Sequence, residues 1–455
     1  MKKVGFCAVA GSGMSALAQV LQAQGCKVYG SDRSFDQGKE QKIKQALQGV
    51  GIKICPQDGS MLDNKLDILY TSTAVESTIP DVKRALELGV PVKRRSDLLA
   101  EVFASYAKGV AIGGTSGKST LTAMVGFILD QAKLNPTVIN GAGMQNYKDV
   151  AGLPNVILNH GDICVIEADE SDGSIEKYTP YISVVNNISL DHKTLEELEL
   201  LFGDFAAKAK AGAVLNLDCP HCRKLLNKNM KVRTFAIDNK DADFYFSNIV
   251  PTSTGSTYQF ENRQYSLSII GKFNVANAAA AVATCSMLGV APHEACEILQ
   301  KFAGTKRRLE VLGNQNNITV IDDFAHNPDK VAASMSALKS YSGRLLIMFQ
   351  PHGFAPMRLM GHEIIDSFVK YMGDDDVLML PEIYFSGGTV NRDISSKDLV
   401  DYALKQNKQA LFFEKRDDLE NKIMTMARFG DRIILMGARD NSITDMGYRI
   451  LENLK

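Results

Sequence analysis

The sequence predicts an α/β protein of three domains, and three observations predict it. Short apolar runs alternate with helix-like segments along the whole chain. Polar clusters rich in Asp, Asn and His follow several of those runs. One glycine-rich turn, Gly113-Gly114-Thr115-Ser116-Gly117-Lys118-Ser119-Thr120, joins an apolar run to a helix. At roughly 150 residues per domain, 455 residues allow three cores. With 45% hydrophobic and 23% charged residues the chain reads as globular rather than disordered. A net charge of −1 supplies no global field for nucleic acid or an anionic membrane. No stretch approaches the roughly 18 apolar residues of a membrane span, so any anionic ligand must be held by local sites.

In chain order, Met1-Lys2-Lys3 and the run Val4 to Ala10 begin like a secretory signal, but the run is too short and passes straight into Gly11-Ser12-Gly13. That reads as strand then turn. The lack of an export signal and eight thinly spread cysteines point to the cytoplasm. Gly11-Ser12-Gly13-Met14-Ser15-Ala16 opens a helix through about Gln24, and Val28 to Ser31 forms a second strand ending at Asp32. A carboxylate about twenty residues after the glycines completes a nucleotide-type βαβ unit. The G-x-G-x-x-A turn suits any diphosphate on a helix N-terminus, so NAD and other nucleotides both stay open at this point. Runs at 66–70 and 90–92, with a helix over 80–88, complete a first domain at 1–107.

Tyr106-Ala107-Lys108 links to a central domain, 108–312, whose first strand is Val110-Ala111-Ile112. The turn that follows reads as a phosphate cradle: backbone N–H groups point into one concavity, Lys118 reaches the β- and γ-phosphates, and the Ser119 hydroxyl ligates Mg²⁺. The first glycine of the general motif falls on Ile112. The run at 163–166 ends in Glu167-Ala168-Asp169-Glu170-Ser171-Asp172, and that at 182–185 in Asn186-Asn187-Ile188-Ser189-Leu190-Asp191-His192. Two such clusters after strands of the cradle's own domain point to a Mg²⁺-nucleotide site. Cys219-Pro220-His221-Cys222 lacks the second ligand pair of a zinc knuckle and reads as a surface turn with two free thiols. Segment 235–270 suggests an antiparallel insertion. An alanine-rich helix then begins at Gly271 to Asn277, with Asn274 and Asn277 on one face as caps or as contacts to a ribose or base. Lys306-Arg307-Arg308 is a run of the kind usually solvated, though beside a nucleotide site one arginine can neutralise transferring phosphate.

The third domain, 313–455, carries runs at 318–321, 345–349, 377–380 and 433–436. Each leads into polar residues: Asp322-Asp323-Phe324-Ala325-His326-Asn327-Pro328, Gln350-Pro351-His352, Pro381-Glu382 and Gly437-Ala438-Arg439-Asp440. A second parallel sheet with its strand ends on one crevice follows. The units share a rhythm without a fixed repeat, which excludes a solenoid.

These motifs, in this order, resemble those of the Mur ligases of peptidoglycan precursor synthesis over almost the whole chain. The resemblance implies a Rossmann-like N-terminal domain, a central P-loop ATPase domain and a Rossmann-like C-terminal domain. It implies an ATP-dependent ligase that joins a carboxylate to an amine through an acyl phosphate. The ATP-binding set would be Gly114, Thr115, Ser116, Gly117, Lys118, Ser119, Thr120, Asn274, Asn277, Arg308 and Asp323. Two Mg²⁺ sites would draw on Ser119, Glu170 and His192, and the catalytic set would be Lys118, His192, Arg308 and His326. The first domain is most similar to the alanine-adding branch, which implies a UDP-N-acetylmuramoyl substrate at Gly11, Ser12, Gly13, Met14, Ser15, Asp32, Ser72, Thr73, Ala74 and Arg95.

The third domain would bind the amine through Phe324, His326, His352 and Arg358. It departs from that branch at Gly353 and Pro356, where arginines are expected, and Phe273 replaces a family histidine. Losing a cation that grips a carboxylate bidentately is not conservative. The acceptor therefore stays open between L-alanine, another amino acid and the tripeptide of the recycling ligase. Lys208 is a candidate for the carbamylated lysine of some members. The expected partners are UDP-N-acetylmuramate and an amino acid or short peptide, without nucleic acid or membrane, on a monomer or weak dimer. The rivals are a nucleotide switch built on the cradle and a dehydrogenase resting on the G-x-G turn and Asp32.

Overall fold

The apolar runs assemble into three sheets in a computed structural model that describes residues 1–455 except 73–74, 172, 191–192, 227–229, 386–390, 439 and 455. The first is an all-parallel sheet of five strands in the order Lys53–Cys55, Lys27–Ser31, Lys3–Cys7, Ile68–Thr71, Val92–Arg94. Its first strand lies between the second and fourth in chain order, so the crossovers leave to opposite sides there. The turn after Lys3–Cys7 opens at that switch point, where α/β sheets bind ligands. The helix Ser12–Ala23 follows it.

The central sheet has ten strands. Its strand Lys108–Gly113 lies between Ile163–Glu167 and Ile182–Val185, parallel to both. That placement brings the glycine-rich turn, the acidic cluster and the Asn-rich cluster to the same edge. The helix Lys118–Gln131 that leaves the turn is buried from Ser119 to Leu129. It is apolar nearly all round because neighbours cover it on every side. The strands Phe244–Pro251, Ser256–Phe260 and Arg263–Leu267 extend this sheet as consecutive neighbours at one edge.

The third sheet runs Glu310–Gln315, Ile318–Asp323, Arg432–Met436, Leu345–Phe349, Val377–Pro381, Gln409–Phe413. Five strands are parallel and Glu310–Gln315 pairs antiparallel with its successor. The expected boundary at 312/313 falls inside that edge strand. By packing, the chain forms two units: residues 306–455 with short segments of 249–257 and 266–274 make one, and the remainder the other.

Inside the larger unit the first two sheets share one apolar core, in which Phe103 packs edge-on against Tyr178 at 5.6 Å. Buried amides join them too. Gln19 Nε2 donates to Asn155 Oδ1 (3.1 Å), and Leu153 N–H donates to Gln19 Oε1 (2.8 Å). Gly152, at φ 87°, leaves the room that Gln19 occupies. The smaller unit has cores of its own on the two faces of its sheet. Among the described residues no helix is long and apolar enough to cross a membrane.

Candidate active site

The glycine-rich turn is held from the side by two asparagines of the neighbouring strand end. Asn187 Oδ1 accepts from Ser116 N–H (2.8 Å), and the carbonyl of Asn187 accepts from Thr115 N–H (3.1 Å). Asn186 Nδ2 and Asn187 Nδ2 each donate to the Ser116 carbonyl at 3.0 Å. The Thr115 hydroxyl accepts from Ser189 N–H (3.1 Å) and lies 2.9 Å from Asn187 Oδ1. Every one of these bonds spans about seventy residues of sequence, and together they hold the cradle's backbone in shape. Thr120 Oγ1 lies 3.1 Å from Thr305 Oγ1 and ties the first helical turn to the end of the unit.

At the helix start, Lys118 Nζ donates to the Gly114 carbonyl (2.8 Å) and to Glu170 Oε2 (2.7 Å). Glu170 is almost fully buried. Ser119 Oγ donates to Glu167 Oε2 (3.0 Å), whose other oxygen accepts from Gly141 N–H. A hydroxyl and two carboxylates are hard oxygen donors, the kind that suits Mg²⁺. Burial pushes the Asp169 carboxyl up, but the Lys118 charge and bonds from Ser171 outweigh it and hold it below the usual range. Asp172, Asp191 and His192 lie outside the described residues, and with them the metal role expected of His192. Lys208 closes the helix Leu195–Ala207 and donates to the Glu176 carbonyl (2.9 Å).

In the first domain, Asp32 is engaged by the backbone: Ala10 N–H donates to Oδ2 and Ser34 N–H to Oδ1, both at 2.9 Å. It organises the turn. Gly11 and Ser12 are exposed, and a side chain at Gly13 would meet Arg95 at 3.0 Å, so the two expected contacts are neighbours. Met14 lies in the core, and the Ser15 hydroxyl accepts from Asn155 Nδ2 (3.1 Å), because the first turn of an inward-facing helix presents these positions to its packing partner. The carbonyl of Ser72 accepts from Arg94 Nη1 (3.0 Å), while Thr73 and Ala74 lie outside the described residues. Asn277 Oδ1 accepts from Asn186 Nδ2 (2.8 Å), and Asn274 Nδ2 donates to the Ile270 carbonyl (2.8 Å); both side chains are buried.

The cationic run of the smaller unit is only partly solvated. Arg307 is buried, donating from Nε to Asp322 Oδ1 (3.2 Å), from Nη1 to the Asp440 carbonyl (3.0 Å) and from Nη2 to the Gly437 carbonyl (2.5 Å). Arg308 makes no hydrogen bond or ion pair to a described residue, and its guanidinium lies 5.2 Å from the Phe324 ring centroid. Asp323 is buried and accepts from Ser334 Oγ and from Leu309 N–H (3.3 Å). Burial raises its pKa against those bonds and the Arg308 charge. His326 Nδ1 lies 2.8 Å from the Phe324 carbonyl, which can only accept, so Nδ1 carries the proton and Nε2 the lone pair. Burial lowers its pKa to about 4, with the Lys330, His352 and Arg308 charges acting the same way. His352 meets His326 edge-on at 5.6 Å between centroids. Arg358 donates twice to Asp393 Oδ1, at 2.9 and 2.7 Å, and once to the Asn391 carbonyl. That pairing braces Arg358 against the segment Asn391–Asp393.

Sequence reasoning assigned no role to Glu167, Asn186 or Asn187. The available signal was their place directly after strands, beside residues that were assigned.

Three family descriptions match the chain in order: Mur ligase family, catalytic domain over residues 3–107; Mur ligase middle domain over 112–285; and Mur ligase, glutamate ligase domain over 307–439. The chain is 32% identical over 453 residues to the UDP-N-acetylmuramate–L-alanine ligase of Dictyoglomus turgidum, covering 96% of this chain and 94% of that one. It is 32% identical over 476 residues to the enzyme of the same name from Agrobacterium fabrum, covering 99% and 97%. Among solved structures it is similar to the UDP-N-acetylmuramate-alanine ligase MurC from Thermotoga maritima, with a TM-score of 0.80, 25% identity and 99% of each chain covered. It shares the fold of a murein peptide ligase from Psychrobacter arcticus, with a TM-score of 0.70, 22% identity and 100% and 99% covered.

Proposed function

The chain belongs to the Mur ligase family, and from that we propose that it joins the lactyl carboxylate of UDP-N-acetylmuramate to L-alanine at the expense of ATP, in peptidoglycan precursor synthesis. The observation that carries the reading is the cradle, with Lys118 on Glu170 and Ser119 on Glu167 at the edge of one sheet. The names of the relatives matched over nearly the whole chain support the substrates. Residues 1–107 are assigned to the UDP portion, 108–312 to ATP and 313–455 to the amine.

A carboxylate resists attack because oxide would have to leave. In the first step a lactyl carboxylate oxygen bonds to the γ-phosphorus of ATP, the bond to the β,γ-bridging oxygen breaks, and ADP departs. In the second step the amine attacks the acyl carbon, inorganic phosphate leaves, and the nitrogen loses its proton. Lys118 exchanges the Glu170 carboxylate for phosphate oxygens, and Arg308 supplies a second cation to the charge in transfer. Bound by Ser119, Glu170 and His192, Mg²⁺ would neutralise phosphate charge there. His326, neutral with its lone pair on Nε2, accepts a hydrogen bond from the incoming amine and orients it.

The test is ADP release. It is expected only when UDP-N-acetylmuramate and L-alanine are both present, and Lys118→Ala should abolish it while UDP-N-acetylmuramate still binds. ATP hydrolysis indifferent to both substrates would sink the proposal.

A further inference from the structure

Most arginines of the smaller unit have their charge matched. Arg344 is paired with Asp431, Arg416 with Asp440 and Arg449 with Glu420. Arg392 has no hydrogen bond or ion pair to a described residue. Its guanidinium carbon lies 5.0 Å from the ring centroid of Phe385 and 5.6 Å from that of Phe354, and the two rings pack on each other at 5.6 Å. Two aromatic faces hold a cation in place without neutralising it. The loop is held as well, because Arg358 binds Asn391 and Asp393 on either side of Arg392.

The position of this cation is set by the sheet. Phe354 starts the helix Phe354–Val369, just after the strand Leu345–Phe349, and Phe385 follows Val377–Pro381. Those strands are parallel neighbours, with Ile347 opposite Leu378, so both rings sit at the carboxyl edge of the sheet. His352 is in the same cluster: it bridges to Tyr384, Gly353 N–H donates to the Tyr384 carbonyl (2.9 Å), and the His352 ring packs on His326. Gly353, at φ 75°, and Pro356 bring no charge to this edge, and Arg358 is spent on Asp393. Arg392, stacked on the ring that follows Gly353 and on the ring that follows Tyr384, the bridge partner of His352, brings a cation without a partner among the described residues to this edge.

The geometry points to Arg392 as the residue that reads the carboxylate of the amine acceptor, which restricts acceptors to free α-amino acids. In a free amino acid the attacking nitrogen and the carboxylate share one carbon, and a guanidinium can pair with that carboxylate through two hydrogen bonds. In a peptide the same position is a neutral amide, which would cover the cation without pairing it. The inference rests on the ligase reading above and narrows its substrate.

L-Alanine and L-alaninamide titrated calorimetrically into wild type, Arg392→Ala and Arg392→Lys, with UDP-N-acetylmuramate and a non-hydrolysable ATP analogue present, test it, with turnover measured on the same samples. Arg392→Ala should lose about tenfold to a hundredfold in affinity for L-alanine. It should bind L-alaninamide as wild type does and keep its KM for ATP, and Arg392→Lys should recover part of the loss. Equal losses for acid and amide, or no loss for either, would overturn the assignment. Binding of L-alanine through Arg392 without any ADP release would count against the ligase reading alone. Normal turnover by Arg392→Ala, with the acid still preferred over the amide, would count against Arg392 alone.

Discussion

Arg307 and Arg308 are adjacent, and identical in side chain, yet the fold gives them opposite work. Arg307, at a φ of 56°, turns inward to Asp322 and two carbonyls, while Arg308 stays on the face of Phe324. Truncating one partner of a buried pair strands the other, so Arg307→Ala should cost about 3–5 kcal/mol and lower the melting temperature. Arg308→Ala should leave the melting temperature nearly unchanged and reduce kcat on the order of a hundredfold. Reversed outcomes in thermal melts and steady-state assays would reverse the assignment. His326 carries a pH signature of its own. The unfolded chain binds its proton near pH 6.5, but the native state, where burial holds the pKa at about 4, does not. Native stability should therefore be independent of His326 above pH 6.5, fall as pH drops from 6.5 to 4, and level off below that, by at most about 3 kcal/mol. Denaturant midpoints for wild type and His326→Gln at pH 7 and pH 5 check this; the variant should lose less on acidification.

At the scale of elements, the glycine-rich turn works because neighbouring backbone and amides approach it closely. Gly117 has φ 82°, and a methyl group there would come within 2.7 Å of Asn186 Nδ2 and 2.9 Å of Asn277 Oδ1. Gly117→Ala should accordingly displace the Asn186–Asn277 amide pair, and with it one of the two amides that hold the Ser116 carbonyl. We expect KM for ATP to rise at least about tenfold, with UDP-N-acetylmuramate binding intact; an unchanged KM would mean the loop tolerates the shift. The turn itself was legible in the sequence, since a Gly-Lys-Ser between an apolar run and a helix has a local cause. The asparagine clamp was not, because it depends on Lys108–Gly113 and Ile182–Val185 becoming neighbours. The same holds for Glu167, which reaches Ser119 only because Ile163–Glu167 flanks that strand on its other side.

For the whole molecule, three sheets were legible from the strand-helix rhythm, but their grouping into two units was not. Residues 1–107 share a core and the Gln19–Asn155 amide link with the central sheet, so the two should unfold together. Calorimetry should resolve two transitions rather than three, and residues 1–107 alone should unfold at lower denaturant than they do in the full chain. A separate third transition would break the shared-core account. What the sequence determined by itself is whatever has a short-range cause: the strands, the phosphate-binding turn, the polar residues at strand ends and the family they spell out. Tertiary structure alone decided which of two neighbouring arginines is buried, that Met14 and Ser15 face the packing, and that Arg392 lies on two aromatic rings with no ion-pair partner among the described residues. Those outcomes depend on which distant groups share a low-dielectric neighbourhood, and no local spacing encodes that.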